Sequence, residues 1–339
     1  PPHIPVLLTE VIDALAPTEG EHYVDATFGA GGYARAILDT AACRVTGLDR
    51  DPTAIAAAAG MVADYTGRLQ LIETAFADMA HVVAAPVDGV VFDLGVSSMQ
   101  LDQAERGFSF QKDGPLDMRM AAHGDSASAP APPSAADLVN QADEATLADI
   151  LFHYGEERRA RAIAGAIVAR RDGQPFARTL DLANLVERVL GRRPQDARHP
   201  ATRTFQALRI AVNRELEQVA EGLDAAEAML RPGGRLVLVT FHSLEDRLVK
   251  RWLAERSAQT GGGGSRHLPE HVESKQISFE LINRRPLTPS RQETADNPRA
   301  RSAKLRAACR TDAAPAVADA DALGVRIVDW SVPATVGPP

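Results

Sequence analysis

Three acids close short apolar runs in the first hundred residues. Asp25 lies near the end of "HYVDAT", Asp49 ends "RVTGLD" and Asp93 lies near the end of "VDGVVFDL". The first is followed at once by "ATFGAGGYA", which holds Gly29, Gly31 and Gly32. Glycines after a strand allow a tight turn and a close ligand. A phosphate-cradling loop needs a following Lys-Ser/Thr, whereas Gly32 is followed by Tyr33 and Ala34. A dinucleotide loop needs G-x-G-x-x-G, and the third glycine here is out of place. Asp49 lies 20 residues beyond Gly29, where a carboxylate can accept hydrogen bonds from two ribose hydroxyls. Charge-assisted bonds of that kind contribute roughly 1.5–3 kcal/mol each. An adenosine-containing ligand fits, NAD or S-adenosylmethionine alike, and a tight turn with no ligand is the bland alternative. Three acids around one crevice suit a cationic sulfonium and amine better than an anionic pyrophosphate.

The elements that must position these acids alternate. Strand candidates at 22–27, 44–49, 69–74 and 87–94 are separated by Ala-rich, helix-compatible stretches. Such alternation predicts a parallel sheet with helices on both faces, and ligands bind outside the carboxyl ends of such strands. After residue 105 the pattern changes. "AAHGDSASAPAPPSAAD" (121–137) is low-complexity. Helical runs follow, among them 156–171 with an arginine face and a long amphipathic helix over 206–230. "PGGRLVLVTF" (232–241) then returns to a turn and a buried strand. The expected organisation is an α/β domain in two parts, 1–108 and 206–310, with an inserted helical substrate-recognition domain at 109–205. Residues 311–339 read as a C-terminal tail, in which 324–330 could form an edge strand.

The 339-residue chain has a formal net charge of −8, but the charge is unevenly spread. Residues 156–214 hold 13 Arg against 6 Asp and Glu, and residues 266–310 hold 10 Lys and Arg against 5 Asp and Glu. Basic segments on an acidic body can meet a polyanion locally. Arg158, Arg159, Arg161 and Arg203 are the candidate RNA contacts. Two cysteines, Cys43 and Cys309, suit a reducing cytoplasm and offer neither a disulfide framework nor zinc spacing. No metal-ligand cluster is expected, and no apolar stretch suggests a membrane span.

"MLRPGGRLVLVTF" resembles the L-x-P-G-G turn before the fifth strand of class I, Rossmann-like, S-adenosylmethionine-dependent methyltransferases. The chain also resembles the RsmH (MraW) ribosomal RNA methyltransferases from residue 3 to about 310. The most specific matches are "FDLGVSSMQLDQAERGFSFQKDGPLDMRM" (92–120) and "HPATRTFQALRIAVNRELE" (199–217). Further matches are "HIPVLLTEVI" (3–12), "PGGRLVLVTFHSLEDRLVK" (232–250) and "NPRARSAKLRAA" (297–308). The resemblance implies transfer of a methyl group from S-adenosylmethionine to the exocyclic N4 of a cytidine in 16S ribosomal RNA, carried in a small ribosomal subunit or its precursor. It leaves room for a homodimer. It implies cofactor contacts from the backbone of Gly31, Gly32 and Tyr33, from Asp49 to the ribose, from Phe76 to the adenine, and from Asp93 and Gln100. The family usually has His at the place of Tyr33 and Pro at the place of Met99.

Cytosine N4 is a poor nucleophile because its lone pair is delocalised into the ring. Asp93, the hydroxyls of Ser97 and Ser98, or backbone carbonyls could accept hydrogen bonds from the amine. No cysteine lies in this loop, which argues against the covalent route of carbon-5 methylation. His242 points from a strand end towards the crevice, either as a catalytic group or as a structural residue. Ser243 with Asp246 reads as a capping box for the next helix, and Asp78 as a cap for the helix at 79. The competing functions are methylation of DNA or protein, and non-catalytic RNA binding in ribosome assembly. A nicotinamide oxidoreductase would need the missing glycine pattern.

Overall fold

A computed structural model describes residues 5–95, 102–120, 132–192, 199–257, 277–316, 323–324 and 326–332. Seven strands are present among them: β1 (His22–Asp25), β2 (Arg44–Asp49), β3 (Leu69–Glu73), β4 (Val87–Asp93), β5 (Leu230–Thr240), β6 (Phe279–Leu281) and β7 (Lys304–Arg310). They form one sheet in the order β3-β2-β1-β4-β5-β7-β6. β1 to β5 pair in parallel, and β7 lies antiparallel to both β5 and β6. This is the Rossmann-like α/β fold of the class I methyltransferases. Chain order runs outward from β1 on one side and from β4 on the other. The switch point, where ligands bind in open α/β sheets, therefore lies between Asp25 and Asp93.

The central strands are apolar because both faces are covered. Val24, Val45, Val90, Val91, Val237 and Val239 are all buried. Helices Leu8–Leu15 and Gly32–Thr40 pack beside them through Val11, Leu15, Ile37 and Leu38. The Pro-Gly-Gly stretch expected as a turn is drawn into β5. The pairing register with β4 shifts there, and Gly233 takes φ +82°.

The chain divides into two compact units, residues 1–95 with 216–325, and residues 96–215 with 326–339. The second unit is helical. Its core comprises Leu138, Leu147, Ile150, Leu151, Ile163, Ile167, Phe176, Leu182 and Val186. The expected helix over 206–230 is two helices, Thr202–Asn213 and Glu215–Met229. Arg214 breaks them in the left-handed region, at φ +49°, which costs an L-residue roughly 1–2 kcal/mol. Two sets of bonds hold the break. Asn213 accepts from Met120 N and donates to Met118 O. Arg209 donates to both Glu215 oxygens, at 2.8 and 2.9 Å. The helix expected at 156–171 begins only at Ala160. Residues 326–332 form no strand, and Val328 N instead donates to the Tyr154 hydroxyl.

Candidate functional site: the carboxyl ends of β1, β2, β4 and β5

β1 delivers Asp25 to the turn that follows it. The side chain accepts from Thr27 N at 3.3 Å and from Ala34 N at 3.1 Å. Ala34 is the third residue of helix Gly32–Thr40, so a strand-end acid satisfies an orphan amide of that helix. Asp25 is 1% exposed. Burial pushes its carboxyl up to about 7, against the pull of the two amides and with help from the charge of Asp49. This corrects one expectation: Asp25 shapes the loop from beneath and offers a ligand no surface.

The loop itself explains its glycines. Gly31 sits at φ +75°, and a Cβ there would lie 2.6 Å from the Phe28 ring and 2.8 Å from Met61 Sδ. A Cβ on Gly32 would strike Pro5. The protein's own packing thus requires both glycines. Gly32 and Tyr33 open the helix, so their amides have no partner inside it. The Tyr33 side chain turns inward, 3% exposed, and its hydroxyl donates to Val6 O. Burial raises that phenol well above its ordinary value.

Asp49 closes β2 and binds the same loop from the other side. Gly29 N and Asp51 N each donate to it at 2.8 Å, one to each carboxylate oxygen. A carboxylate has about four acceptor positions, so two remain. Burial raises its pKa, and the two amides counter that rise. The bland role of capping the next helix belongs to Asp51, which accepts from Thr53 N ahead of Pro52. Beyond β3, Phe76 is half-buried, edge-on to Phe92 with ring centroids 5.5 Å apart. Asp78 precedes the helix at 79 but makes no side-chain cap bond, contrary to its expected role.

β4 places Asp93 beside Asp25. Thr27 Oγ1 accepts from Asp93 N at 2.6 Å, which ties the two strand ends together. Among the described residues, the buried Oδ1 of Asp93 has no hydrogen-bond partner. Burial pushes this carboxyl up to about 8, with Asp25 and Glu245 adding to the rise. A buried acceptor without a partner is costly unless something occupies it. Ser97, Ser98, Met99 and Gln100 lie outside the described residues.

At the end of β5, His242 precedes helix Ser243–Ser257. Its Nε2 lies 2.9 Å from Glu245 Oε1. Glu245 Oε2 accepts from the amides of Phe241 and His242. Glu245, not Asp246, thus reaches back to the start of this helix. The expected Ser243–Asp246 box fails because Asp246 is drawn to Arg306 at 2.8 Å and Lys304 at 2.7 Å. Against the cost of burial, these two cations hold Asp246 below the usual carboxylate range. Thr27 and Glu245 were not legible as site residues. The only sequence trace of Glu245 is its place three residues after His242.

In the helical unit Arg158, Arg159, Arg161 and Arg203 are exposed. Arg203 also donates to Glu156 O at 3.2 Å. Arg170 and Arg171 have structural work instead. Arg170 bonds Asp181 O and covers the Phe176 ring, while Arg171 caps Val139 O and Ala142 O.

Residues 1–311 match the family model described as the MraW methylase family. Ribosomal RNA small subunit methyltransferase H of Bradyrhizobium diazoefficiens is 60% identical over 316 residues, covering 92% of each chain. The protein of that name in Cereibacter sphaeroides is 56% identical over 327 residues, covering 96% of each. Among solved structures, a putative rRNA-methylase from Clostridium thermocellum overlaps 91% of this chain and 99% of its own, at 15% identity and a TM-score of 0.41. With a match that spans both parts of the sheet and the helices between them, the chain belongs to the MraW methylase family.

Proposed function

We infer that the protein transfers a methyl group from S-adenosylmethionine to the exocyclic N4 of a cytidine in 16S ribosomal RNA, in a small ribosomal subunit or its precursor. The observation that carries this is the family match together with Asp93 at the sheet's switch point, whose buried Oδ1 has no partner among the described residues. The cytoplasm is the expected compartment, consistent with two free cysteines. No helix among the described residues is long and apolar enough to cross a membrane.

The residues present fit that cofactor. S-adenosylmethionine supplies an electrophilic methyl group on a cationic sulfur. Asp49 keeps acceptor positions that would take the ribose hydroxyls, and the exposed part of Phe76 would pack on the adenine. The amides of Gly32 and Tyr33, at the positive helix terminus, would suit the carboxylate of the amino-acid end, while Gly31 N is spent on Phe28 O at 2.7 Å, so Gly31 would contribute by close approach of its backbone. Asp93 Oδ1 accepts a hydrogen bond from an amine. Towards the target N4 such a bond raises electron density on the nucleophile and takes up the proton the amine must shed. Alignment of the reacting atoms supplies most of the remaining acceleration. The target base leaves its stack to reach these strand ends.

Incubation of small subunits lacking the modification with labelled S-adenosylmethionine should yield N4-methylcytidine on nucleoside analysis. Recovery of 5-methylcytidine, or label in protein alone, would reject this function.

The helical unit docks the RNA. Changing Arg158, Arg159 and Arg161 together to Gln should leave S-adenosylmethionine affinity unchanged while weakening subunit binding. Three lost phosphate contacts should lower the slope of log affinity against log salt by about 2. A melting temperature lowered by many degrees with the slope intact would instead assign these arginines to packing.

A further inference from the structure

We propose that the exposed strip over residues 282–301, on the outer edge of the sheet, is a second RNA-binding surface that follows the phosphate backbone away from the target base. The proposal rests on the ribosomal RNA reading above and concerns the α/β unit, not the helical one.

The strip begins where the chain runs along the outside of β7. Phe279 pairs with Arg310 and Leu281 with Ala308. Leu287 and Leu305 then exchange two backbone hydrogen bonds, at 3.0 and 2.9 Å. Between these points the Asn283 side chain stands in for the ladder. It accepts from Ala307 N at 2.7 Å and donates to Leu305 O at 3.0 Å. With β7 satisfied by that amide, Arg284 and Arg285 bulge outward and are exposed. The short helix Arg291–Asp296 and the turn Pro298–Ser302 then lead back into β7, and Arg291 and Arg301 are exposed on them.

None of these four arginines has a carboxylate within 4.0 Å among the described residues. The nearby acids are engaged elsewhere: Glu293 accepts from Leu7 N, and Asp296 accepts from Gln292. Pro286 and Pro289 restrict the backbone between the arginines. Ile282 and Leu287 are 42% and 40% exposed beside them, apolar surface suited to sugars and base faces.

Register ties the strip to the site. Asp93 pairs with Val239, Val239 with Leu305, and Leu305 with Leu287. Leu287 is therefore three strand spacings from Asp93, about 14 Å. Because β7 runs antiparallel to β5, its first residue, Lys304, lies opposite Thr240 at the carboxyl end of β5. Leu287 lies opposite Leu305, next to that end, and the turn Pro298–Ser302 runs directly into Lys304, so the strip approaches the end of the sheet that carries the site. A strand with one base at Asp93 reaches the arginines within a few nucleotides. A second copy of this chain is a poor occupant. A twofold contact through the strip would set arginines against arginines.

The test compares the full-length wild type with the variant carrying Arg284→Gln, Arg285→Gln, Arg291→Gln and Arg301→Gln. The probe is small ribosomal subunits lacking the modification, titrated over a salt series. Four lost single-strand phosphate contacts should lower the salt slope by about 3 and low-salt affinity on the order of a hundredfold. S-adenosylmethionine affinity and melting temperature should hold. Should the fourfold variant fold poorly, Arg284→Gln with Arg285→Gln should give about half that change in slope. Unchanged affinity and slope would overturn the proposal. So would a variant that alters sedimentation of the free protein but not RNA binding, which would mark the strip as a self-association surface. A wild type that neither binds nor methylates the subunits would reject the ribosomal RNA reading itself, and the strip with it.

Discussion

Asp49→Ala is expected to weaken S-adenosylmethionine binding at least tenfold by calorimetry. Two ribose bonds to a charged acceptor, at roughly 1.5–3 kcal/mol each, set the scale. The structure adds a second loss, because Asp49 also accepts from Gly29 N and Asp51 N. Alanine would leave both amides unpaired and loosen the glycine turn. Asp49→Asn separates the two effects, since its one oxygen can keep a loop amide while the charge is gone. Asn should recover most of the melting temperature lost in Ala but little of the affinity. Equal affinity in wild type and Ala would remove Asp49 from the cofactor site.

The sheet was legible because its strands are short apolar runs ending in acids, and β1 to β4 fall where that pattern puts them. The edge was not. β6 is three residues long and β7 begins inside a basic segment, so neither carries the apolar run of a central strand. The break at Arg214 was also hidden. The apolar spacing from Leu208 to Leu230 continues unbroken through it, and the bonds of Asn213 and Arg209 that flank the left-handed residue leave no mark on that spacing. Within the site, Asp49 and Asp93 could be chosen from their positions at strand ends. That Asp25 is spent on the loop could not be, because its partners Thr27 and Ala34 offer backbone amides, which leave no trace in residue type. The same holds for Glu245, whose displacement of Asp246 depends on Lys304 and Arg306 arriving from β7.

Asp93→Asn is expected to reduce methyl transfer at least a hundredfold and to flatten the pH dependence of cofactor binding. In the cofactor-free protein the Asp93 carboxyl is pushed up to about 8, so near pH 7 it is largely protonated. A cationic ligand beside Oδ1 favours the ionised form, and binding must then release a proton. Wild-type affinity for S-adenosylmethionine should therefore rise from pH 6 to about 8 and level above it. The Asn variant should lack most of that rise, with any remainder due to Asp25, itself pushed up to about 7. Stability should move the opposite way. The ordinary value of this carboxyl is 3.8, so between pH 4 and 8 the folded state binds more protons than the unfolded one. Wild-type stability then falls as pH rises through that window. Asn removes the buried charge and should raise the melting temperature at pH 9, on the order of 5 °C, while changing it little at pH 5. A more stable and less active enzyme is the signature of an acid kept for its ligand rather than for the fold. A variant equally destabilised at both pH values, with wild-type pH dependence of binding, would show that Asp93 serves packing alone.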